Sequence, residues 1–237
     1  MKTILITGAS SGIGRATAQA FLAEGWTVGL IARRADRLDE VAAGHAKAIS
    51  LPADVTDPGA MKPAFDHFAE QAGRLDVLFN NAGTFGPKGT PDTVPLDGFD
   101  TTVKVNIRGM FIAAQLAFAQ MRRQDPQGGR IIMNGSTSAH SPRPDSICYT
   151  TTKHAITGMT RSLALDGRAF DIACGQIDIG NAESEMVADL KRGQPDMHTM
   201  GVDNAVRSIM HMATMPPEAN VQFMTVMATK MPFIGRG

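Results

Sequence analysis

Short apolar runs rich in β-branched residues recur along this chain. Between them lie longer stretches whose apolar positions repeat at helical spacing. Thr3 to Thr7 (TILIT) is the first such run and reads as a buried strand. Similar runs near residues 26–32, 46–51, 75–79, 130–134, 171–177 and 221–227 are predicted strands. Stretches near 13–24, 36–43, 59–71, 98–123, 149–168 and 203–214 are predicted helices. Strands and helices alternating at this rhythm predict an α/β domain, a mainly parallel sheet of about seven strands covered on both faces. The breaks rich in Pro and Gly at 84–95 and 125–129 read as loops between elements. No repeat, low-complexity tract or linker divides 1–237, so a single domain is expected. The helix near 98–123 carries Phe111, Ile112, Ala114, Leu116 and Phe118, which makes it apolar on more than one side. A helix apolar that widely wants a second partner, so self-association is expected.

Composition narrows the function classes. Lys and Arg together number 23, as do Asp and Glu, so the net charge is zero. That argues against nucleic-acid and membrane-surface roles, which usually leave a basic excess. The longest apolar runs are too short to span a bilayer, and Gly8 interrupts the apolar start where a signal peptide would continue. Cys148 and Cys174 form no disulfide framework, so a cytoplasmic setting is expected, with Cys148 as a small buried filler. The six histidines show no metal-ligand spacing, and no metal site is read.

Two constellations carry candidate chemistry. Tyr149, the one tyrosine in the chain, stands four residues before Lys153. On a helix the two share a face. A free phenol holds its proton too tightly to exchange it near neutral pH, and a neighbouring ammonium favours the phenolate. The pair can therefore move a proton. Near the N-terminus, Gly8-Ala-Ser-Ser-Gly12-Ile-Gly14 follows a strand and opens a helix. Glycines let a backbone approach a pyrophosphate, and a helix N-terminus offers free N–H groups. The second strand ends Ala32-Arg33-Arg34. In such folds an acid there usually binds the ribose of NAD; a guanidinium instead suits a 2′-phosphate.

Taken together, these residues resemble the short-chain dehydrogenase/reductase family. The pieces occur in the family's order: the turn from Thr7 to Gly14, Asp54-Val55, Asn80-Asn-Ala-Gly83, Asn106, Ser136, then Tyr149-x-x-x-Lys153. Ser136 lies 13 residues before Tyr149, the family's usual spacing. The resemblance covers nearly the whole chain. It implies a doubly wound Rossmann domain, with a cofactor half over roughly 1–125 and a catalytic and substrate half over roughly 126–237.

By that resemblance the catalytic set is Asn106, Ser136, Tyr149 and Lys153. Ser136 would hydrogen-bond the substrate oxygen and Tyr149 would exchange the proton. Lys153 would hold the nicotinamide ribose, and Asn106 would bend its helix and hold a relay water. The cofactor set is Gly8, Ser10, Ser11, Gly12, Ile13, Gly14, Arg33, Arg34, Asp54, Val55, Asn80, Ala82, Gly83, Tyr149, Lys153 and Gly180. Asp54 would meet the adenine amine, with Val55 beside the ring and the Asn80–Gly83 segment under the cofactor. Arg33 marks NADP(H) over NAD(H). The implied activity is NADP(H)-dependent hydride transfer between a carbonyl and an alcohol in a small molecule. A lyase or epimerase using the nicotinamide transiently, or a non-catalytic NADP-sensing scaffold, is the alternative. The stretch 183–201, with Met186, Pro195, Met197 and Met200, falls where the family places its substrate lid. One departure stands out: Ile179 replaces the proline usual before Gly180. It suggests either a looser loop or an Asp178 that presents a charge near the site's mouth.

Overall fold

The computed structural model describes residues 2–193 and 196–234. Pro195 therefore lies outside the described residues. The strands are β1 Thr3–Thr7, β2 Thr27–Ala32, β3 Ala48–Pro52, β4 Val77–Asn80, β5 Gly129–Asn134, β6 Ile172–Gly180 and β7 Phe223–Met227. The helices are α1 Gly12–Ala23, α2 Ala35–Ala42, α3 Pro58–Ala72, α4 Leu96–Val103, α5 Met110–Arg123, α6 Ile147–Gly167, α7 Glu185–Gly193 and α8 Val202–Thr214.

The strands form one sheet in the order β3-β2-β1-β4-β5-β6-β7. All six pairings are parallel. Alternation within each strand builds two cores. Ile4 and Ile6 of β1 join Phe21, Val28 and Leu30 on one face, while Leu5 joins Phe65, Phe68 and Leu78 on the other. Gly29, paired with Leu5, has a packing reason. A Cβ there would meet Leu5 at 2.3 Å and Phe68 at 2.6 Å. Strand order reverses between β1 and β4, the place where ligands bind in open α/β sheets.

The predicted elements recur with their ends shifted by a few residues. The helix expected near 98–123 is one helical run with a π-helical segment, Lys104–Gly109, between α4 and α5. Hydrophobic spacing does not register one extra residue in a turn. Helix α7 lies within the stretch 183–201 read as a lid, and neither it nor the 3₁₀ turn Thr137–Ala139 is among the predicted helices. The sheet is wholly parallel rather than mainly so. Near Gly180 the expected loose loop is absent. Ile179 carries the N–H that proline would lack, and β6 continues beside β7 with Ile179 opposite Val226. Asp178 is 1% exposed, so its charge faces inward rather than the mouth.

Among the described residues, no helix is long and apolar enough to cross a membrane. Both cysteines are free and buried, and burial pushes the Cys174 thiol up to about 12.

Candidate active site

Parallel strands bring their C-terminal ends to one edge, and a cavity of about 680 Å³ opens there. The glycine turn forms one wall. Gly8 and Gly12 have φ of +71° and +52°, where L side chains are strained. Gly14 serves closeness instead. A Cβ on it would fall 2.2 Å from the Gly8 carbonyl oxygen and 2.7 Å from the Asn81 amide nitrogen. The first residue of α1 follows Ser11, whose side chain makes no capping bond, so the N–H groups of the first turn face the turn uncapped.

A chain of polar contacts crosses the strand ends. The Thr7 hydroxyl accepts the N–H groups of Asn81 at 2.9 Å and Ala82 at 3.0 Å. Asn81 donates to the Thr7 carbonyl at 2.9 Å and accepts from the Asn134 amide at 2.9 Å. The Asn134 carbonyl in turn accepts from Lys153 Nζ at 2.7 Å. Lys153 is 3% exposed, and its ammonium lies 5.4 Å from the Tyr149 ring centroid. Phe85 packs edge-on against that ring at 4.8 Å. Tyr149, Lys153 and Ser136 all face the cavity. Ser136 Oγ accepts from the Ser138 N–H at 3.1 Å, which leaves its proton free for another acceptor.

At the other end, Arg33 and Arg34 line the cavity after Ala32. Arg34 Nη2 reaches Ser10 Oγ at 3.4 Å. The Thr56 N–H, bonded at 2.8 Å, holds the Asp54 carboxyl below the usual carboxylate range, with smaller help from Arg33 and Lys104. Helix α7 closes one side with Met186, Val187 and Leu190.

Four expected site residues stand behind this lining. Gly14 is held by the turn it packs against. Asn80 is 1% exposed, and its amide donates to the Met110 carbonyl at 2.7 Å. Asn81 takes the lining position instead. Gly180 faces Met227, Met231 and Thr137. Asn106 sits fully buried in the π segment. Its Oδ1 accepts the Thr84 N–H at 2.8 Å; its Nδ2 donates to the Thr84 carbonyl at 2.8 Å and Thr152 Oγ1 at 3.0 Å. It thus ties the loop after β4 to α6. His154 is exposed and bonds the Thr150 carbonyl, off the catalytic face. The lining also holds Phe85, Lys104, Asn134 and Arg143, which spacing did not single out. Asn134 had one signal, its place at a strand end two residues before Ser136. Among the described residues, no cluster of His, Cys, Asp or Glu could hold a metal.

The family model for short chain dehydrogenases matches residues 2–195. The chain belongs to that family. It is 34% identical over 204 residues to a 2-(R)-hydroxypropyl-CoM dehydrogenase of Xanthobacter autotrophicus, covering 83% of this chain and 80% of the relative. Two solved structures share the fold. A serine dehydrogenase in closed form with NADP+ has a TM-score of 0.92 at 19% identity, covering 99% of this chain and 98% of that one. A 3-ketoacyl-(acyl-carrier-protein) reductase of Brucella melitensis with NADH has a TM-score of 0.88 at 23% identity, covering 98% of each chain.

Family membership makes this chain an oxidoreductase, and the cavity fits a nicotinamide dinucleotide. Gly8 and Gly12 line its wall with bare backbone, which suits close approach of a pyrophosphate, and Lys153 keeps donors beyond the one that Asn134 uses. Gly14→Ala tests the turn. Overpacking against backbone should cost about 1–3 kcal/mol of stability. Dinucleotide affinity should fall about tenfold or more. Thermal unfolding and fluorescence titration with NADPH check the two effects.

Proposed function

We propose that this chain is an NADP(H)-dependent carbonyl reductase or alcohol dehydrogenase. The observation that carries the reading is the meeting of Ser136, Tyr149 and Lys153 at one end of a cavity whose other end holds the glycine turn and two arginines. When bound, the nicotinamide supplies or accepts hydride. The protein's part is to hold and orient. Ser136 donates to the substrate oxygen. Tyr149 gives that oxygen its proton in reduction and takes it back in oxidation. Lys153 holds the cofactor ribose and stabilises negative charge on the Tyr149 oxygen. Asn106 acts as a brace rather than through a free side chain, because its side-chain oxygen and nitrogen are both engaged, with Thr84 and Thr152. Water held by the helix around it would complete the proton relay. The named dehydrogenase of Xanthobacter autotrophicus supports an alcohol or carbonyl as the reacting group. A panel of aldehydes, ketones, diketones and β-keto esters, followed by NADPH absorbance, tests the activity; no NADPH consumption across it would count against the reading.

Tyr149→Phe removes the proton carrier and keeps the ring. Turnover should fall by about 10² or more, while NADPH affinity holds. Lys153→Met should damage both. Steady-state kinetics and a binding titration separate these outcomes.

Arg33 and Arg34 support NADP(H). The solved relatives hold either cofactor, so the preference rests on this chain's own residues. Charge-assisted bonds to a 2′-phosphate should favour NADPH over NADH by about 10- to 100-fold. Ala32→Asp with Arg33→Ala removes that attraction and adds repulsion, so it should reverse the ratio. Dissociation constants for both cofactors are the check. Equal affinity in the parent protein would mean that the arginines are only a solvated loop.

We also propose a homodimer or homotetramer. Phe111 of α5 is 50% exposed and Leu165 of α6 is 61% exposed. Ile112 and Ala114 lie in the core and are not free for a partner. Light scattering should find a dimer or tetramer at micromolar concentration, and Phe111→Glu with Leu165→Glu should weaken it.

A further inference from the structure

Strand β6 carries two polar side chains on a face where a packed sheet is normally apolar. Gln176 and Asp178 are two residues apart, so both point to the same side. Ile177 and Ile179 point to the other, into the core with Ile4 and Phe21. Gln176 is fully buried and Asp178 is 1% exposed. Neither lines the cavity.

Their bonds account for the burial. Asp178 Oδ1 accepts the Ser136 N–H at 2.8 Å and the Gln176 amide at 2.7 Å. Asp178 Oδ2 lies 2.8 Å from His140 Nε2. Ser136 opens the 3₁₀ turn Thr137–Ala139 and His140 ends it, so one carboxylate grips both ends of that turn. The approach needs Gly135, because a Cβ there would lie 2.1 Å from Asp178 Oδ1. Gln176 extends the contact to α6. Its Nε2 donates to Thr157 Oγ1 at 3.1 Å, and its Oε1 accepts from Thr160 Oγ1 at 3.1 Å. Helix α6 is the helix that carries Tyr149 and Lys153.

We infer that Asp178, with Gln176 and His140, is a positioning device that fixes the Ser136 turn relative to the helix bearing Tyr149. The inference rests on the role proposed above for Ser136. Both Ser136 and Tyr149 must bond one substrate oxygen, so their separation has to be held to a fraction of an ångström. A turn and a helix joined only by apolar packing would let Ser136 drift along the sheet edge. A carboxylate accepting a backbone N–H sets both distance and direction. Burial strengthens that bond, because water does not compete for the acceptor. Asp178 acts through Ser136 and touches neither substrate nor cofactor.

The test is a double-mutant cycle between Asp178→Ala and Ser136→Ala. Turnover is read with NADPH and whichever of diacetyl, ethyl acetoacetate, cyclohexanone and benzaldehyde is reduced fastest. Asp178→Ala should lower kcat by about 10- to 100-fold, the scale of a small misplacement. NADPH affinity should stay within about twofold. In the Ser136→Ala background the same change should cost less than about threefold, because the group it positions is gone. Asp178→Asn keeps an oxygen for Ser136 and should recover most of the loss. Gln176→Ala, which leaves the His140 contact in place, should show the same non-additivity and serves if Asp178→Ala does not fold. A crystal structure of the Asp178 or Gln176 variant should show Ser136 displaced. Parental kcat in Asp178→Ala, a full additive loss on Ser136→Ala, or a Ser136 hydroxyl that keeps its place overturns the inference. If Ser136→Ala alone leaves turnover intact, or none of the four carbonyls is reduced, the reading of the site itself falls. That result is distinct from an intact Ser136 effect with additive Asp178.

Discussion

A buried ammonium sets the terms for this site. Lys153 is 3% exposed, and a charge in such a place is costly unless a partner receives it. The Asn134 carbonyl, at the end of β5, is that partner. Asn134 is itself held by Asn81, and Asn81 by Thr7. One line of polar contacts therefore runs from β1 through β4 and β5 to α6. It works because every strand is parallel, so the strand ends that carry these side chains share one edge. In an antiparallel sheet, neighbouring C-terminal ends would lie at opposite edges.

Charge at the site is local rather than global. The chain is neutral overall, yet Arg33, Arg34, Lys104, Arg143 and Lys153 all line one cavity. Clefts focus such fields whatever the net charge. Neutrality therefore weighs against a broad basic surface but says nothing against an anionic ligand. Asp54, the acid at the arginine end, has its carboxylate secured mainly by a backbone N–H, with the cations adding to that.

Ile179, where the resemblance leads one to expect proline, lies inside a continuous strand. Strand β6 runs through Ile179 to Gly180 and pairs with β7 as far as Met227. The extended strand keeps Asp178 in regular alternation with Gln176, and this puts both polar side chains on the α6 face. A charge expected at the mouth thereby becomes an internal fastening for the turn that begins at Ser136.

Much of the architecture was legible in the chain because it depends on local rules. TILIT alternates between two apolar faces, so it reads as a central strand. Tyr149 and Lys153 share a helical face by spacing alone. Gly8 and Gly12 mark a turn that needs positive φ. Contacts between distant segments were not legible. Lys153 meets Asn134 across 19 positions, and Ser136 meets Asp178 across 42. Asn80 and Asn81 are adjacent and alike in type, yet one braces the core and the other lines the cavity. Spacing was equally silent on the short helix α7 and on the π segment around Asn106, where only the family resemblance implied a bend. Periodicity constrains the backbone over a few residues at a time. Which polar groups then face each other, and which are buried, is decided only when helices settle on the sheet and every buried donor and acceptor must find a partner.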